Sequence, residues 1–339
     1  MKIVLVTTTI NVPHVLKWYR AIASISALEP VEFIVVGDRK TPRETEIFCA
    51  KIPNCRYISC AEQEVWKCSD PTGWVSIQRR NIGFLEALKA GADTIVSVDD
   101  DNMGIDLNYF DMHEIALGYP FDGMQITGKN GWVDPGAYLR PQAKHRGFPT
   151  QKQHAPAYAP IVDAKVGVSA GMCIGDPDID AVTRIANAPD VQQVSLLAEA
   201  GFVVNCKSWT VFNSQNTAVL REYIPAWGMI PFVGRYDDIF ASLIVQRVMR
   251  DRQHHVRFGK PYAFQERNEH DLIRDLRGEL EGMENVVKLA DVLDHTLLAN
   301  KSVLADCRQI WRTLSTCSWM PIPAVKAMEA YLDDCEAVL

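Results

Sequence analysis

The chain has 339 residues, a formal net charge of −7, 47% hydrophobic residues and 23% charged residues. This composition is typical of an ordered globular protein and excludes a disordered or fibrous one. The negative charge argues against nucleic acid as a partner, so an anionic ligand would need local arginines or a bound cation.

The N-terminal stretch MKIVLVTTTI is predicted to form a first strand and not a signal segment, because its apolar part is short and runs into threonines. No apolar run reaches the roughly 18 residues that suggest a membrane-spanning helix. The nine cysteines include no CxxC pair, which argues against a disulfide framework or a zinc site. We therefore expect a cytoplasmic protein.

The first hundred residues alternate strand-like and helix-like segments. Strands are predicted at 2 to 8, at 31 to 38 and from 94 onward (TIVSVDDD), and helices at 12 to 28 and 79 to 91. This order predicts a parallel sheet with right-handed crossovers. Ligands of such sheets bind outside the carboxyl ends of the strands, and the residues at those ends are Thr7, Thr8, Thr9, Gly37, Asp38, Asp99, Asp100 and Asp101.

The rest of the chain is less regular in sequence. Residues 120 to 165 are rich in Gly, Pro, Tyr, Trp and Lys, which predicts turns and loops. Further on, we predict a helix entered through Pro177, strands within 209 to 220, a helix at 234 to 250 and helices from 283 onward.

Asp99, Asp100 and Asp101 place three carboxylates directly after a buried-looking strand. Such charges repel one another unless a cation or solvent intervenes. If the strand geometry persists past Val98, Asp99 and Asp101 share one face and Asp100 points to the other. Two carboxylates at this spacing can hold Mg²⁺ or Mn²⁺, which completes its shell with water and substrate phosphates. The alternative is a solvated acidic turn.

Three further groups could carry chemistry. Asp237 and Asp238 open a predicted helix, where they either complement the helix dipole or supply a general base. Arg79 and Arg80 begin another helix and either bind phosphate oxygens or remain solvated. His270 is a candidate third metal ligand, with an ordinary structural or exposed histidine as the alternative.

Several segments resemble known glycosyltransferases. RRNIGFLEALKAGADTIVSVDDDN is similar to the region leading into the DxD motif of GT-A glycosyltransferases, which use nucleotide sugars. GVSAGMCIGDPDIDAVTRI and VGRYDDIFASLIV resemble the plant reversibly glycosylated polypeptides, also known as UDP-arabinopyranose mutases, and KPYAFQERNEHDLIRDLRGEL resembles their STELLO-like relatives. These blocks cover most of residues 1 to 280.

The resemblance implies an α/β fold of the GT-A type, which is a Rossmann-like nucleotide-diphospho-sugar transferase fold with a mainly parallel central sheet, followed here by C-terminal helices. The implied division is a nucleotide-sugar-binding half at 1 to 125, an acceptor-binding and catalytic half at 126 to 282, and a helical extension at 283 to 339.

The resemblance also implies roles for individual residues. Asp99 would lie near the ribose, Asp101 would bind the metal, and Asp238 with Asp237 would be the base of an inverting reaction. Gly171 and the GDPDID segment would flank the sugar and the acceptor. Asp38 and the loop Thr7, Thr8 and Thr9 would hold the nucleoside. Together with Asp99, Asp100 and the helix-start arginines Arg79 and Arg80, they make up the residues that we expect to contact the nucleotide sugar.

The function expected from these features is Mn²⁺- or Mg²⁺-dependent transfer of a hexosyl or pentosyl group from a UDP-sugar to a hydroxyl acceptor, in glycan or polysaccharide synthesis. The alternatives are a UDP-sugar mutase and a silent nucleotide-sugar-binding scaffold. The mutases carry a glycosylated arginine, whereas an ungapped match puts Ile161 at its position, and the nearest upstream arginines are Arg146 and Arg140.

The sequence leaves the acceptor, the sugar and the oligomeric state open. Peripheral membrane association also stays open, because tryptophans and arginines that could favour an interfacial helix lie near the C-terminus; they are Trp311, Trp319, Arg308 and Arg312.

Overall fold

The structure is a computed structural model that describes residues 1 to 26, 30 to 266 and 271 to 339. Its first part alternates strands and helices, as the sequence predicts. The strands are β1 (Ile3–Thr8), β2 (Glu32–Val36), β3 (Cys55–Ile58) and β4 (Thr94–Val98). The helices are α1 (Leu16–Ala23), α2 (Arg43–Cys49), α3 (Cys60–Gln63), α4 (Ser69–Thr72) and α5 (Arg80–Lys89).

The second part begins directly after the aspartate trio. Its strands are β5 (Asn102–Gly104), β6 (Phe121–Thr127), β7 (Trp132–Val133), β8 (Leu139–Arg140), β9 (Ala157–Gly175), β10 (Gln193–Val194), β11 (Phe202–Val204), β12 (Trp209–Thr210), β13 (Asn216–Leu220) and β14 (His254–Gln265). Its helices are α6 (Tyr109–Gly118), α7 (Ala181–Asn187), α8 (Leu196–Ala200), α9 (Asp237–Arg250), α10 (Leu272–His295), α11 (Val303–Leu314) and α12 (Ile322–Val338).

A ten-stranded sheet organises the chain, in the order β3-β2-β1-β4-β13-β9-β6-β11-β14-β5. The strands β3, β2, β1 and β4 are parallel, which confirms the prediction for the first part. Beyond β4 the sheet is mixed, because β13 runs antiparallel to both β4 and β9. The predicted α/β fold with C-terminal helices is confirmed, with a sheet that is parallel in one half and mixed in the other.

Two sequence predictions need correction in the second part. Residues 121 to 127 and 157 to 165 are paired strands and not loops, because β6 and the first half of β9 form an antiparallel ladder. The helix predicted from Pro177 begins at Ala181, where the Asp180 side chain accepts a hydrogen bond from the Thr183 amide. The strands predicted within 209 to 220 are present as β12, which pairs with β7, and β13, which pairs with β4 and β9.

Two hydrophobic cores lie on opposite faces of the sheet. The alternation along β1 sends Ile3 and Leu5 into the core beneath α1 and α6, and Val4 and Val6 into the core shared with α5. This second core also contains the apolar faces of α9 to α12, so the C-terminal helices pack onto the sheet. The implied boundaries at 125/126 and 282/283 fall inside β6 and α10, and the three-part division remains a prediction.

Of the two tryptophans that suggested an interfacial helix, Trp311 is part of this core and Trp319 is partly buried against it. Trp311 is 1% exposed, and Arg308 pairs with Asp333 and Glu336 of α12. These contacts remove Trp311 as a candidate membrane anchor. In the described part of the chain, no helix combines the length and apolar character needed to cross a bilayer.

Gly83 allows α5 to lie close against the sheet. An added Cβ would stand 2.4 Å from Val6 Cγ1 and 2.9 Å from Val36 Cγ2, both rigid core side chains. We expect Gly83→Ala to lower the free energy of unfolding by about 1 to 3 kcal/mol, because overpacking outweighs the better helix propensity of alanine.

Urea unfolding followed by circular dichroism measures this change. Gly118→Ala, at the end of α6, is the matched control, because its added Cβ would meet only the flexible Met1 side chain at 3.3 Å. Equal midpoints for the two variants would mean that α5 is not held at this close approach.

Candidate active site

A cleft of about 280 Å³ opens at the carboxyl ends of β1 and β4. Both halves of the chain contribute to its walls. The ionisable lining side chains are six aspartates and three arginines, formally a net charge of −3: Asp99, Asp100, Asp101, Asp178, Asp237, Asp238, Arg80, Arg146 and Arg235. The cleft therefore favours a cationic ligand, or an anionic ligand that arrives with a metal ion.

The aspartate trio forms a turn that leads from β4 into β5. The strand ends at Val98, and all three residues line the cleft. Strand alternation does not continue through a turn, so the direction of Asp100 relative to Asp99 and Asp101 remains a prediction. The Thr9 hydroxyl donates to Asp100, and burial raises the pKa of the Asp100 carboxyl.

Arg80 is a fixed positive charge beside the trio. Its side chain is 1% exposed, and Nη2 donates to Asp99 Oδ1 at 2.7 Å. Its Nη1 donates to Ser214 Oγ at 2.7 Å, and the Ser214 amide donates to Asp238 Oδ2 at 3.0 Å. These bonds connect the turn after β4 to the start of α9. Arg80 lines the cleft and is not a solvated surface arginine, and its phosphate-binding role remains a prediction.

Arg79 lies elsewhere, contrary to its expected phosphate-binding role. Its side chain is 0% exposed, with Nε on Gln63 Oε1 at 2.8 Å and Nη1 on the Ser69 carbonyl at 2.7 Å. The guanidinium also stacks on Trp74, 3.8 Å from the ring centroid. Arg79 therefore anchors α3 and α4 to the start of α5.

Asp38 also has a structural task in place of the expected nucleoside contact. Its two carboxylate oxygens accept the backbone amides of Val75 and Ser76, each at 2.9 Å. It does not line the cleft, and neither does the fully buried Thr7. Of the threonines after β1, Thr8 lines the cleft and Thr9 positions Asp100.

Asp237 and Asp238 lie in the first turn of α9, both buried and both facing the cleft. Asp238 is held on both oxygens, because Arg146 Nη2 donates to Oδ1 at 3.0 Å and the Ser214 amide donates to Oδ2. Asp237 accepts Gln78 Nε2 on Oδ2 at 2.8 Å. Burial, together with the adjacent Asp238 charge, raises the pKa of Asp237 to about 6. A raised pKa means that Asp237 binds a proton more readily than a solvent-exposed aspartate does.

Sequence reasoning missed Arg146 as a site residue. It pairs with Asp178 at 2.7 Å and with Asp238 at 3.0 Å, and Nη1 donates to the Arg235 carbonyl. The two carboxylates raise the pKa of Arg146 even though it is buried, so it remains a cation. No local pattern marks this arginine, because its partners are 32 and 92 residues away in the chain. The other cleft residues outside the predicted set include Gln78, Ser214, Gln215, Arg235 and Gln265, whereas Asp178 belongs to the predicted GDPDID segment.

The donor set fits a hard divalent cation bound together with a ligand. Within residues 1 to 26, 30 to 266 and 271 to 339, no three Asp, Glu, His or Cys side chains are arranged to hold a metal ion by themselves. Mg²⁺ and Mn²⁺ nevertheless often take only one or two carboxylates and complete their shell from phosphates and water. Asp101, the last residue of the aspartate trio, lines the cleft and can supply such a carboxylate. His270, the expected third ligand, lies outside the described residues.

Comparisons with known proteins give distant structural likenesses. No protein-family model matches the sequence, and no curated protein is significantly similar to it. The resemblance to the reversibly glycosylated polypeptides and STELLO-like proteins therefore stays a prediction.

Three solved structures illustrate these likenesses. Glucosyl-3-phosphoglycerate synthase from Mycobacterium tuberculosis, with Mn²⁺ and UDP-glucose, is 13% identical over 86% of this chain and 79% of that chain, with a TM-score of 0.45. Mannosyltransferase PcManGT from Pyrobaculum calidifontis, with GDP-Man and Mn²⁺, is 12% identical over 99% and 86%, with a TM-score of 0.43. S. aureus TarS, with UDP-GlcNAc, is 11% identical over 99% and 91%, with a TM-score of 0.44. At TM-scores below 0.5 these likenesses carry no functional conclusion, and function has to follow from the cleft.

Proposed function

We propose that the protein is a metal-dependent glycosyltransferase of the GT-A type, which moves a sugar from a UDP-sugar to a hydroxyl acceptor in glycan or polysaccharide synthesis. One observation carries the proposal: the acidic turn after β4 and the buried aspartates of α9 face each other across a single cleft. A cation site opposite a candidate base is an arrangement that can catalyse inverting transfer from a nucleoside diphosphate sugar.

The donor diphosphate binds on the β1 and β4 side of the cleft in this proposal. Asp101 holds Mn²⁺ or Mg²⁺, and the metal, when bound, neutralises charge on the departing diphosphate. Arg80 contributes a second positive charge, already fixed by Asp99 and Ser214, so little reorganisation is needed when the leaving group develops charge. Thr8 at the end of β1 lines the same wall and contacts the donor.

The acceptor hydroxyl binds on the α9 side, and Asp237 removes its proton. A general base works best when its pKa lies near the working pH, and the pKa of Asp237 is raised to about 6. Asp238, which the sequence favoured as the base, instead has both oxygens committed to Arg146 and Ser214. We therefore assign Asp237 as the base and Asp238 as a positioning residue. A single displacement assisted by this base inverts the configuration at the anomeric carbon.

The alternative functions have less support. Arg146, the nearest upstream arginine lining the cleft, is bonded through Nε, Nη1 and Nη2 to Asp178, the Arg235 carbonyl and Asp238. These bonds hold the guanidinium in a structural role, which disfavours it as the sugar acceptor of a mutase reaction. A silent scaffold would bind nucleotide sugar without needing a titratable aspartate beside the metal site.

Incubation with a panel of UDP-sugars and Mn²⁺, with and without EDTA, tests the proposal. We expect UDP release that requires the metal, with transfer to a hydroxyl acceptor, or to water when no acceptor is added. Proton NMR of the first-formed product reports the anomeric configuration. Thermal stabilisation by UDP and Mn²⁺ without turnover of any sugar would favour the scaffold instead.

Gln78 is expected to tune the pH dependence of this reaction. Its Nε2 donates a hydrogen bond to Asp237, and its Oε1 accepts a hydrogen bond from the Ser76 hydroxyl. Removing this donor in Gln78→Leu destabilises the Asp237 carboxylate, so the acid limb of kcat/KM should move up by about one pH unit.

Initial rates between pH 5 and 9 measure this shift. Gln192→Leu, at an exposed position away from the cleft, is the control and should keep the wild-type profile. An unchanged acid limb in Gln78→Leu would show that this hydrogen bond does not act on the titrating group.

A further inference from the structure

A buried carboxamide lies at the aspartate end of the cleft. Gln265, the last residue of β14, is 3% exposed and lines the cleft. Its Oε1 accepts no hydrogen bond from any residue that the structure describes. Buried polar oxygens are bonded in the great majority of cases, so an unbonded one at a ligand cleft points to a missing ligand or cation.

The neighbouring strand places a second such oxygen beside it. Gln265 pairs in register with Asn102 of β5, so their side chains lie on the same face of the sheet with Cβ atoms about 5 Å apart. Asn102 is completely buried, and its Nδ2 donates to the Gln215 carbonyl at 3.3 Å. Its Oδ1 is also without a partner among the described side chains and backbone.

The position of this pair connects it to the aspartate trio. Asn102 follows Asp101 directly in the chain, and Asp101 and Gln265 line the same cleft. Carboxylate and carboxamide oxygens are the donors that hard cations such as Mg²⁺ and Mn²⁺ take. Because the described Asp, Glu, His and Cys residues do not form a three-ligand cluster, amide oxygen is the donor type that this end of the cleft can add.

We propose that the Gln265 carboxamide oxygen is a ligand of the divalent cation held by Asp101. In this arrangement Gln265 Nε2 donates to Asn102 Oδ1, which satisfies the second oxygen and turns Oε1 toward the cation. The proposal rests on the metal-dependent reaction proposed above and adds a ligand from β14, at the opposite end of the sheet order from β1 and β4. The cation would thereby join β14 to the turn after β4.

Mn²⁺ binding in the presence of saturating UDP, without any sugar donor, tests the proposal, with electron paramagnetic resonance of the unbound ion as the readout. Gln265→Leu removes the oxygen with little change in size, and we expect its Mn²⁺ dissociation constant to rise at least about tenfold. Gln265→Glu restores an oxygen ligand and should bind Mn²⁺ at least as tightly as the wild type.

Gln125→Leu is the matched control, because it removes a carboxamide from β6 of the same sheet whose oxygen is already bonded to Asn205 Nδ2 at 2.8 Å. Its Mn²⁺ affinity should equal that of the wild type, and far-ultraviolet circular dichroism should match for all four proteins. If Gln265→Leu does not fold, the comparison of Gln265→Glu with the wild type still decides, since weaker Mn²⁺ binding by the glutamate variant contradicts a ligand role.

An unchanged Mn²⁺ dissociation constant in Gln265→Leu would overturn the proposal, as would no Mn²⁺ binding by the wild type at millimolar metal. If Gln265→Leu raises only the KM for the UDP-sugar, then Gln265 contacts the sugar and not the metal, which would also overturn the proposal. Because the readout needs no turnover, failure of this proposal can be distinguished from failure of the proposed function. If the protein transfers sugar but Gln265→Leu binds Mn²⁺ normally, only the ligand role of Gln265 is rejected. If the protein binds Mn²⁺ but transfers no sugar, the glycosyltransferase function is rejected.

Discussion

Replacing Asp101 by alanine is expected to lower kcat/KM for Mn²⁺-dependent transfer by about three orders of magnitude. The metal stabilises the departing diphosphate by several kcal/mol, and Asp101 is the carboxylate that we assign to it. Asp99 does not substitute for it, because Arg80 already neutralises that carboxylate at 2.7 Å. The apparent Mn²⁺ activation constant should rise in the variant, whereas the unfolding midpoint should stay close to that of the wild type.

Initial rates over a Mn²⁺ titration measure both quantities. Asp291→Ala, which removes an exposed carboxylate from α10, controls for the loss of one negative charge and should retain wild-type kinetics. Identical Mn²⁺ dependence in Asp101→Ala and the wild type would show that Asp101 does not bind the metal.

The second large effect is expected at Asp237. Asp237→Asn should lower kcat by about 10² to 10⁴, because the acceptor hydroxyl loses its base. Mn²⁺ and UDP should still bind, since neither contacts Asp237 in our account. Folding raises the pKa of this carboxyl from 3.8 to about 6, so the wild type should be inactive when Asp237 is protonated and gain activity as the pH rises through about 6.

Asp238→Asn separates the roles of the two aspartates. This change removes one of the two carboxylates that neutralise the buried Arg146, and we expect the free energy of unfolding to fall by about 3 kcal/mol. Urea unfolding and pH–rate profiles of both variants decide which aspartate is the base and which has the positioning role. If Asp238→Asn is stable but inactive while Asp237→Asn is active, then Asp238 and not Asp237 is the base.

The parallel part of the fold could be predicted because its signals are local. The strands β1, β2 and β4 are continuous apolar runs, and the acidic residues after β4 and at the start of α9 stand out in sequence. The long β9 could not be predicted in the same way. Its first half contains Ala, Pro and Asp, is mostly exposed, and is a strand because β6 pairs with it. Such pairing depends on residues far away in the chain.

The arginines show why the candidate site was only partly predictable. Arg79 and Arg80 are adjacent at the start of α5, and successive residues on a helix point about 100° apart. The Arg79 side chain therefore packs against α3 and α4, while the Arg80 side chain reaches the cleft. The sequence does not specify the rotation of α5 against the sheet, which decides between them. Arg146 and Gln265 reach the cleft through long-range packing and pairing, so no local motif marks them.

The most direct test of the account is a crystal structure with UDP and Mn²⁺, with data collected at the manganese absorption edge. We predict one anomalous peak in the cleft, bonded to Asp101 and to diphosphate oxygens, with Arg80 beside the diphosphate and Asp237 across the cleft. UDP bound in the cleft without a metal ion at the aspartate turn, or UDP bound elsewhere on the protein, would contradict the account.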